Sequence, residues 1–242
     1  MIAVTGSVGK TSTKEAIADI LASNFATFKS WQNYNDLLGL PLSLGRLEER
    51  HEYAVLEMSC DHPGEIADLC RIARPQIGVL TAISAAQLSY FGTVERLAQE
   101  LGTLLTFLPK DGIAILNEDD AFVRGVGAGC VAPIFPFTAS MVRDVQVRWE
   151  GVKCDAGVIA VAEGTDTRSA SSAPTVLSSH LLGAHAVATM LAAYNVGRVC
   201  GLSFRDVQDA LAKLGPLPGR LNPLQGVHGA MLLDDTHNAT PA

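Results

Sequence analysis

The segment Thr5-Gly6-Ser7-Val8-Gly9-Lys10-Thr11-Ser12 constrains this chain more than any other. The apolar run Ile2-Ala3-Val4 leads into it. Residues 10–23 follow, with apolar side chains at Ala16, Ile17, Ile20 and Leu21, a helical spacing. A glycine-rich loop between a buried strand and a helix start turns its backbone N–H groups toward an anion, and the helix dipole favours negative charge there. Gly6, Ser7, Val8, Gly9, Lys10, Thr11 and Ser12 would then wrap phosphate groups, with Lys10 as the point charge and Thr11 as a hydroxyl ligand for Mg²⁺. The alternative is a glycine-rich turn that only caps a helix. Gly-Lys-Thr directly after an apolar strand favours the phosphate reading, and with it a nucleoside triphosphate.

The rest of the chain fits an α/β fold of P-loop type. Residues 53–56, 77–81 and 113–116 are short apolar runs that read as buried strands. Between them Pro63-Gly64 opens a helix to about Arg74, and Thr93 caps one running to Leu108. Strands alternating with helices predict a mostly parallel sheet with helices on both faces. The pattern changes after about Asp120. Residues 131–180 are rich in Val, Thr, Ser and Gly, with fragments such as Val145-Gln146-Val147 and Val158-Ile159-Ala160-Val161, and predict a small β-rich subregion of short strands and hairpins. Residues 182–200 return to helix. Ser203 caps another helix ending near Leu214, Pro216, Pro218 and Gly219 break it, and residues 231–233 form a last short strand.

Composition narrows the partners. The net charge of −7 disfavours nucleic acid and anionic membrane surfaces, which need a basic face. No apolar stretch of about 18 residues is present, so no membrane span is expected, and the first ten residues lack the pattern of a signal peptide. Cys60, Cys70, Cys130, Cys154 and Cys200 are dispersed and odd in number, which argues against a disulfide framework or a structural zinc site and fits the cytoplasm.

Further segments carry a family resemblance. The loop resembles Gly-x-x-Gly-Lys-Thr-[Ser/Thr] of the Mur ligases. Asn33-Tyr34-Asn35-Asp36-Leu37-Leu38-Gly39-Leu40-Pro41-Leu42 is similar to a segment of the D-alanyl-D-alanine-adding branch of that family. So are Glu57-Met58 with Asp61-His62-Pro63-Gly64-Glu65-Ile66, residues 88–92 with Glu95, and Asn117, Asp119 and Asp120. Pro218-Gly219-Arg220 and Asp234-Asp235-Thr236-His237-Asn238-Ala239-Thr240-Pro241 complete the set. The resemblance implies an ATP-dependent acid–amino-acid ligase of peptidoglycan precursor synthesis, joining D-alanyl-D-alanine to a UDP-MurNAc-peptide through an acyl phosphate. It implies three domains, of which residues 1–242 would be the central, ATP-binding one, with the N-terminal UDP-sugar domain and the C-terminal Rossmann-like domain outside this chain.

The resemblance also implies roles. Lys10 would be catalytic, and Thr11 and Glu57 would hold Mg²⁺. Arg220 would reach the ATP phosphates, Asp235 and Asn238 would lie near the nucleoside, and Asn33 and Asn35 would face the substrate. Glu57 could instead be a solvated strand-end carboxylate, and Arg220 a surface residue after a Pro-Gly turn. Two positions depart from the family. Gln87 stands where a metal-binding His is usual, and Leu101 where a Lys is carbamylated to serve the same second metal site. Ala186 and Thr189, after His185, replace two Asn. These departures keep open a second reading, a nucleotide-binding module that has lost catalysis. A GTPase-like switch is disfavoured because the guanine-reading Asn-Lys-x-Asp is absent.

Overall fold

Alternation along the apolar runs sets the layers. The computed structural model describes residues 1–139, 142–148, 157–162 and 175–239. In β1 (Ile2–Thr5), Ile2 and Val4 face one buried cluster while Ala3 faces another. The same two-sided burial recurs at Val55 against Ala54 and Leu56 in β3 (Tyr53–Glu57). It recurs at Val79 against Leu80 in β4 (Ile77–Leu80), and at Ile115 against Ala114 and Leu116 in β5 (Ile113–Asn117). A strand apolar on both sides belongs inside a parallel sheet covered twice.

With β2 (Thr27–Lys29) and β6 (Ile134–Phe137), these strands form one six-stranded sheet in the order β2-β3-β1-β4-β5-β6. All its pairings are parallel. The first cluster is closed by α1 (Lys10–Leu21), α7 (Ala186–Val199) and α8 (Phe204–Leu211). The second is closed chiefly by α3 (Glu65–Ala73) and α5 (Val94–Thr106), with α2 (Gly39–Leu44), α4 (Leu88–Phe91) and α6 (Ala121–Gly127) at its margins. The expected caps are in place: Thr93 accepts from Arg96 N–H, and Ser203 and Asp206 form a reciprocal capping box.

The β-rich subregion expected over residues 131–180 is divided. Its first strand, β6, extends the parallel sheet beside β5, where Ile134 pairs with Ala114. The later strands β7 (Val142–Arg148), β8 (Gly157–Ala162) and β9 (Thr175–Ser179) form a separate antiparallel sheet. The helix expected from residue 182 begins at Ala186, after Gly183 takes the left-handed conformation. The final strand β11 (Met231–Asp234) pairs antiparallel with β10 (Asn222–Gln225), which Pro223 concealed in the sequence. Cys154, Thr240 and Pro241 lie outside the described residues. Among the described residues no helix is long and apolar enough to cross a membrane.

Strand order places the site. From β1 the chain runs to β2 and β3 on one side, then crosses to β4, β5 and β6 on the other. The crevice beyond the carboxyl ends of β1, β3 and β4 is therefore a topological switch point, where open α/β sheets bind ligands.

Candidate nucleotide site

The loop after β1 opens into that crevice. Gly6 has φ 144 and a side chain there would collide with Thr81, since an added Cβ would lie 2.1 Å from Thr81 Oγ1. Gly9 takes φ 80 as the N-cap of α1. Glycine is required at the first position by packing as well as by conformation. The loop is tied to the chain after β4: Ser7 N–H donates to the Ala82 carbonyl (2.8 Å), and Ser84 N–H to Ser7 Oγ (2.6 Å). Thr81 Oγ1 donates to the Val8 carbonyl at 2.6 Å. The segment after β4 thus braces the loop.

Lys10 is half-buried and folds back over the loop. Its Nζ donates to the carbonyls of Gly6 (2.8 Å) and Ser7 (3.3 Å). Burial pushes its ammonium below the ordinary lysine range, and the carboxylate of Glu57 opposes that shift. A phosphate would replace two neutral carbonyls with full negative charge, the stronger partner for a partly desolvated ammonium.

Glu57 ends β3 in register with Val4, just before the loop, and is 2% exposed. Its N–H donates to Ser30 Oγ (3.1 Å), and its Oε1 accepts from Asn35 Nδ2 (2.7 Å). Its Oε2 is buried without a hydrogen-bond partner. A carboxylate oxygen left bare in this way is costly unless a cation completes it. Among the described residues no three His, Cys, Asp or Glu side chains converge on a metal position. The donor set therefore fits Mg²⁺ carried with a nucleotide, a hard cation that takes one or two carboxylates and fills its octahedron from phosphate and water. Thr11, whose hydroxyl accepts from Arg220 Nη2 (3.0 Å), lies in the first turn of α1.

Residues 4–197 match the family described as the Mur ligase middle domain. The chain belongs to the Mur ligase family. It is 32% identical over 246 residues to UDP-N-acetylmuramoyl-tripeptide–D-alanyl-D-alanine ligase of Escherichia coli (strain K12), covering 99% of this chain and 52% of that protein. Its fold superposes on MurF of Acinetobacter baumannii with TM-score 0.86 and 26% identity, covering 99% of this chain and 51% of that one. It superposes on the MurF ligase of Thermotoga maritima, in complex with ADP, with TM-score 0.83 and 31% identity, covering 99% and 53%. The chain spans about half the length of the curated relatives it matches.

In this Mur ligase chain the remaining predicted residues fall into two groups. Asp234 and Asp235 work on the Pro-Gly-Arg turn: Asp234 Oδ2 accepts from Gly219 N–H (3.0 Å) and Asp235 Oδ1 from Leu221 N–H (3.2 Å). The two carboxylates thus grip the residues on either side of Arg220. Asp235 and Asn238 are exposed, and Asn238 has φ 57. Asn33 is also exposed, whereas Asn35 spends its amide on Glu57. Ser12 and Val8 are half-buried along the loop.

The acidic pair after β5 is structural. Asp120 caps α6 through Oδ1 and takes Ile83 N–H on Oδ2 at 2.6 Å, while Asp119 Oδ2 accepts from Ala139 N–H (2.6 Å). His185 is the N-cap residue of α7, and Thr189 is buried inside that helix.

The two departures from the family sit in contrasting surroundings. Gln87 has φ 66, and its Nε2 donates to the Cys60 carbonyl (2.9 Å) and weakly to Ser59 Oγ (3.4 Å). Its Oε1 is buried without a partner. Leu101 is 0% exposed in the apolar cluster behind α5. Sequence reasoning missed its neighbour Glu100, whose carboxylate takes Gly64 N–H (2.8 Å) and Ile66 N–H (3.0 Å) at the start of α3. Helical periodicity alone makes Glu100 look like a solvent-facing residue. It also missed Lys14, which is fully buried.

Proposed function

We propose that this chain is the ATP-binding central domain of a ligase that joins D-alanyl-D-alanine to UDP-MurNAc-tripeptide in the cytoplasm. The observation that carries the reading is the unpartnered Oε2 of Glu57 beside a glycine-rich loop bearing Lys10 and Thr11. Mg²⁺, when bound, would neutralise phosphate charge, with Thr11 and Glu57 as its protein ligands. Lys10 would leave the Gly6 and Ser7 carbonyls for the terminal phosphates. The loop amides of residues 6–12 would hold the phosphate chain in line with the attacking group. Arg220 would add a second cation from the opposite side, and Asp235 and Asn238 would stand toward the nucleoside. Asn33, which is exposed, would meet substrate. Asn35 would serve it indirectly, through Glu57.

The family resemblance implies the chemistry. A carboxylate of the acceptor attacks the γ-phosphorus, the bond to the bridging oxygen breaks, and ADP leaves. The dipeptide amine then attacks the acyl carbon and phosphate departs, forming the amide. The central domain holds the phosphates. The acceptor and dipeptide would be held largely by an N-terminal UDP-sugar domain and a C-terminal Rossmann-like domain of the whole enzyme.

Calorimetry of the chain with ATP and Mg²⁺ tests the reading. Lys10→Ala should remove most of the binding and leave the fold intact. Unchanged affinity would show that the loop is only a turn. A second reading, nucleotide binding without ligation, has one observation in its favour. Leu101 is sealed in the core and cannot form a carbamate, so the second metal site typical of the resemblance lacks its charged group.

A further inference from the structure

Lys14 lies one helical turn beyond Lys10 on α1 and is 0% exposed. Its Nζ donates to the carbonyls of Ser30 (3.0 Å) and Gln32 (2.8 Å) and pairs with Glu15 Oε1 (2.7 Å). An ammonium has three donors, and all three are used. A buried lysine costs more than an apolar residue of similar volume would, so its presence calls for something that only a charge can hold.

What it holds is one short turn. Gln32 sits at φ 47, an unfavourable conformation for a residue with a side chain, and its carbonyl is one of the two that Lys14 takes. Ser30, 1% exposed, is fixed on three sides. Its N–H donates to the Val55 carbonyl (2.9 Å), its carbonyl accepts from Lys14, and its Oγ accepts from Glu57 N–H (3.1 Å). Three residues past Gln32, Asn35 Nδ2 donates to Glu57 Oε1 (2.7 Å), and the Asn35 carbonyl accepts from Ser59 N–H (2.9 Å). Residues 30–35 therefore grip Glu57 at both its backbone and its carboxylate.

We infer that Lys14 is a positioning residue for the nucleotide's cation: by clamping the Ser30 and Gln32 carbonyls it fixes the segment that aims Glu57 and leaves Oε2 bare. The inference rests on the proposed metal role of Glu57. Helix α1 then serves the site twice from one face, with Lys10 on the loop and Lys14 behind the carboxylate, because residues four apart in a helix are neighbours.

The test reads the coupling between metal and nucleotide, the ratio of ATP affinity with Mg²⁺ to that in EDTA, by calorimetry on the chain. Lys14→Met should weaken ATP binding with Mg²⁺ about tenfold or more and change binding in EDTA less than about twofold. Lys14→Arg, which keeps the charge and reaches both carbonyls, should restore most of the ratio. In a Glu57→Gln background Lys14→Met should change the ratio no further, because the two act along one path. Equal loss with and without metal, or an unaltered ratio, would make Lys14 a fold residue only and overturn the inference. Should Lys14→Met not fold, Lys14→Gln, neutral and too short to span both carbonyls, carries the same expectation. If Glu57→Gln itself leaves the ratio intact, the metal role of Glu57 fails first and takes this inference with it.

Discussion

Arg220 Nη2 donates to Thr11 Oγ1 at 3.0 Å, a bond between residues 209 positions apart. It joins the turn before β10 to the first turn of α1. The hydroxyl that Arg220 occupies is the one that the proposed reading gives to Mg²⁺. Nucleotide arrival would therefore hand Arg220 from Thr11 to the phosphates. The residues on either side of it, Gly219 and Leu221, are held by Asp234 and Asp235.

The first prediction follows from that exchange. Arg220→Met should weaken ATP binding by about 10- to 100-fold, the worth of one hydrogen bond to a charged group. Binding of adenosine, which offers no phosphate, should change little. Titration of both ligands against both proteins checks this. Equal losses for ATP and adenosine would assign Arg220 to the nucleoside or to the fold.

Leu101 yields the second. It is 0% exposed among apolar neighbours. Leu101→Lys should lower stability by about 3 kcal/mol or more, from lost apolar burial and an unpaired ammonium. Chemical denaturation measures it. In the whole enzyme Leu101→Lys with Gln87→His should raise turnover beyond the product of the single effects, because ligands of one metal site act together. A whole enzyme at full rate with Leu101 and Gln87 in place would show that no second site is needed.

The third prediction concerns the thiols. Burial pushes Cys60 and Cys70 up to about 12, from an ordinary value of 9.0, and the nearby Glu100 carboxylate adds to both shifts. At pH 8 their thiolate fraction falls about a thousandfold below that of an ordinary thiol, and alkylation of the native chain should slow accordingly. Cys130, half-buried, should label first of the three. The sign of the linkage is set by protons: between pH 9 and 12 the native state binds more of them than the unfolded state does. The stabilisation is complete below pH 9 and is lost as pH rises toward 12. Rapid labelling of Cys60 at pH 8, or stability rising over that alkaline range, would contradict the burial.

The residues themselves determined the elements whose signals are local. A glycine-rich loop between Val4 and Lys10, strands such as residues 113–116, and caps at Thr93 and Ser203 each rest on neighbours within one or two turns of chain, and the structure has all of them. Lys10 and Thr11 were legible as candidates from the loop itself, and Glu57 from the family resemblance and its place at a strand end. Tertiary structure decided what depends on partners far away in sequence. The three residues of β2 are too few to show a period, and β6 joined the parallel sheet only because β5 offered an open edge. Glu100 has the pattern of a surface carboxylate until α3 brings two N–H groups to it from 34 and 36 positions away. Lys14 has the pattern of a solvated helix residue until the turn at residues 30–32 closes over it. Burying a charge is affordable only where its partners converge, and that convergence is a property of the folded chain, absent from any window of its sequence.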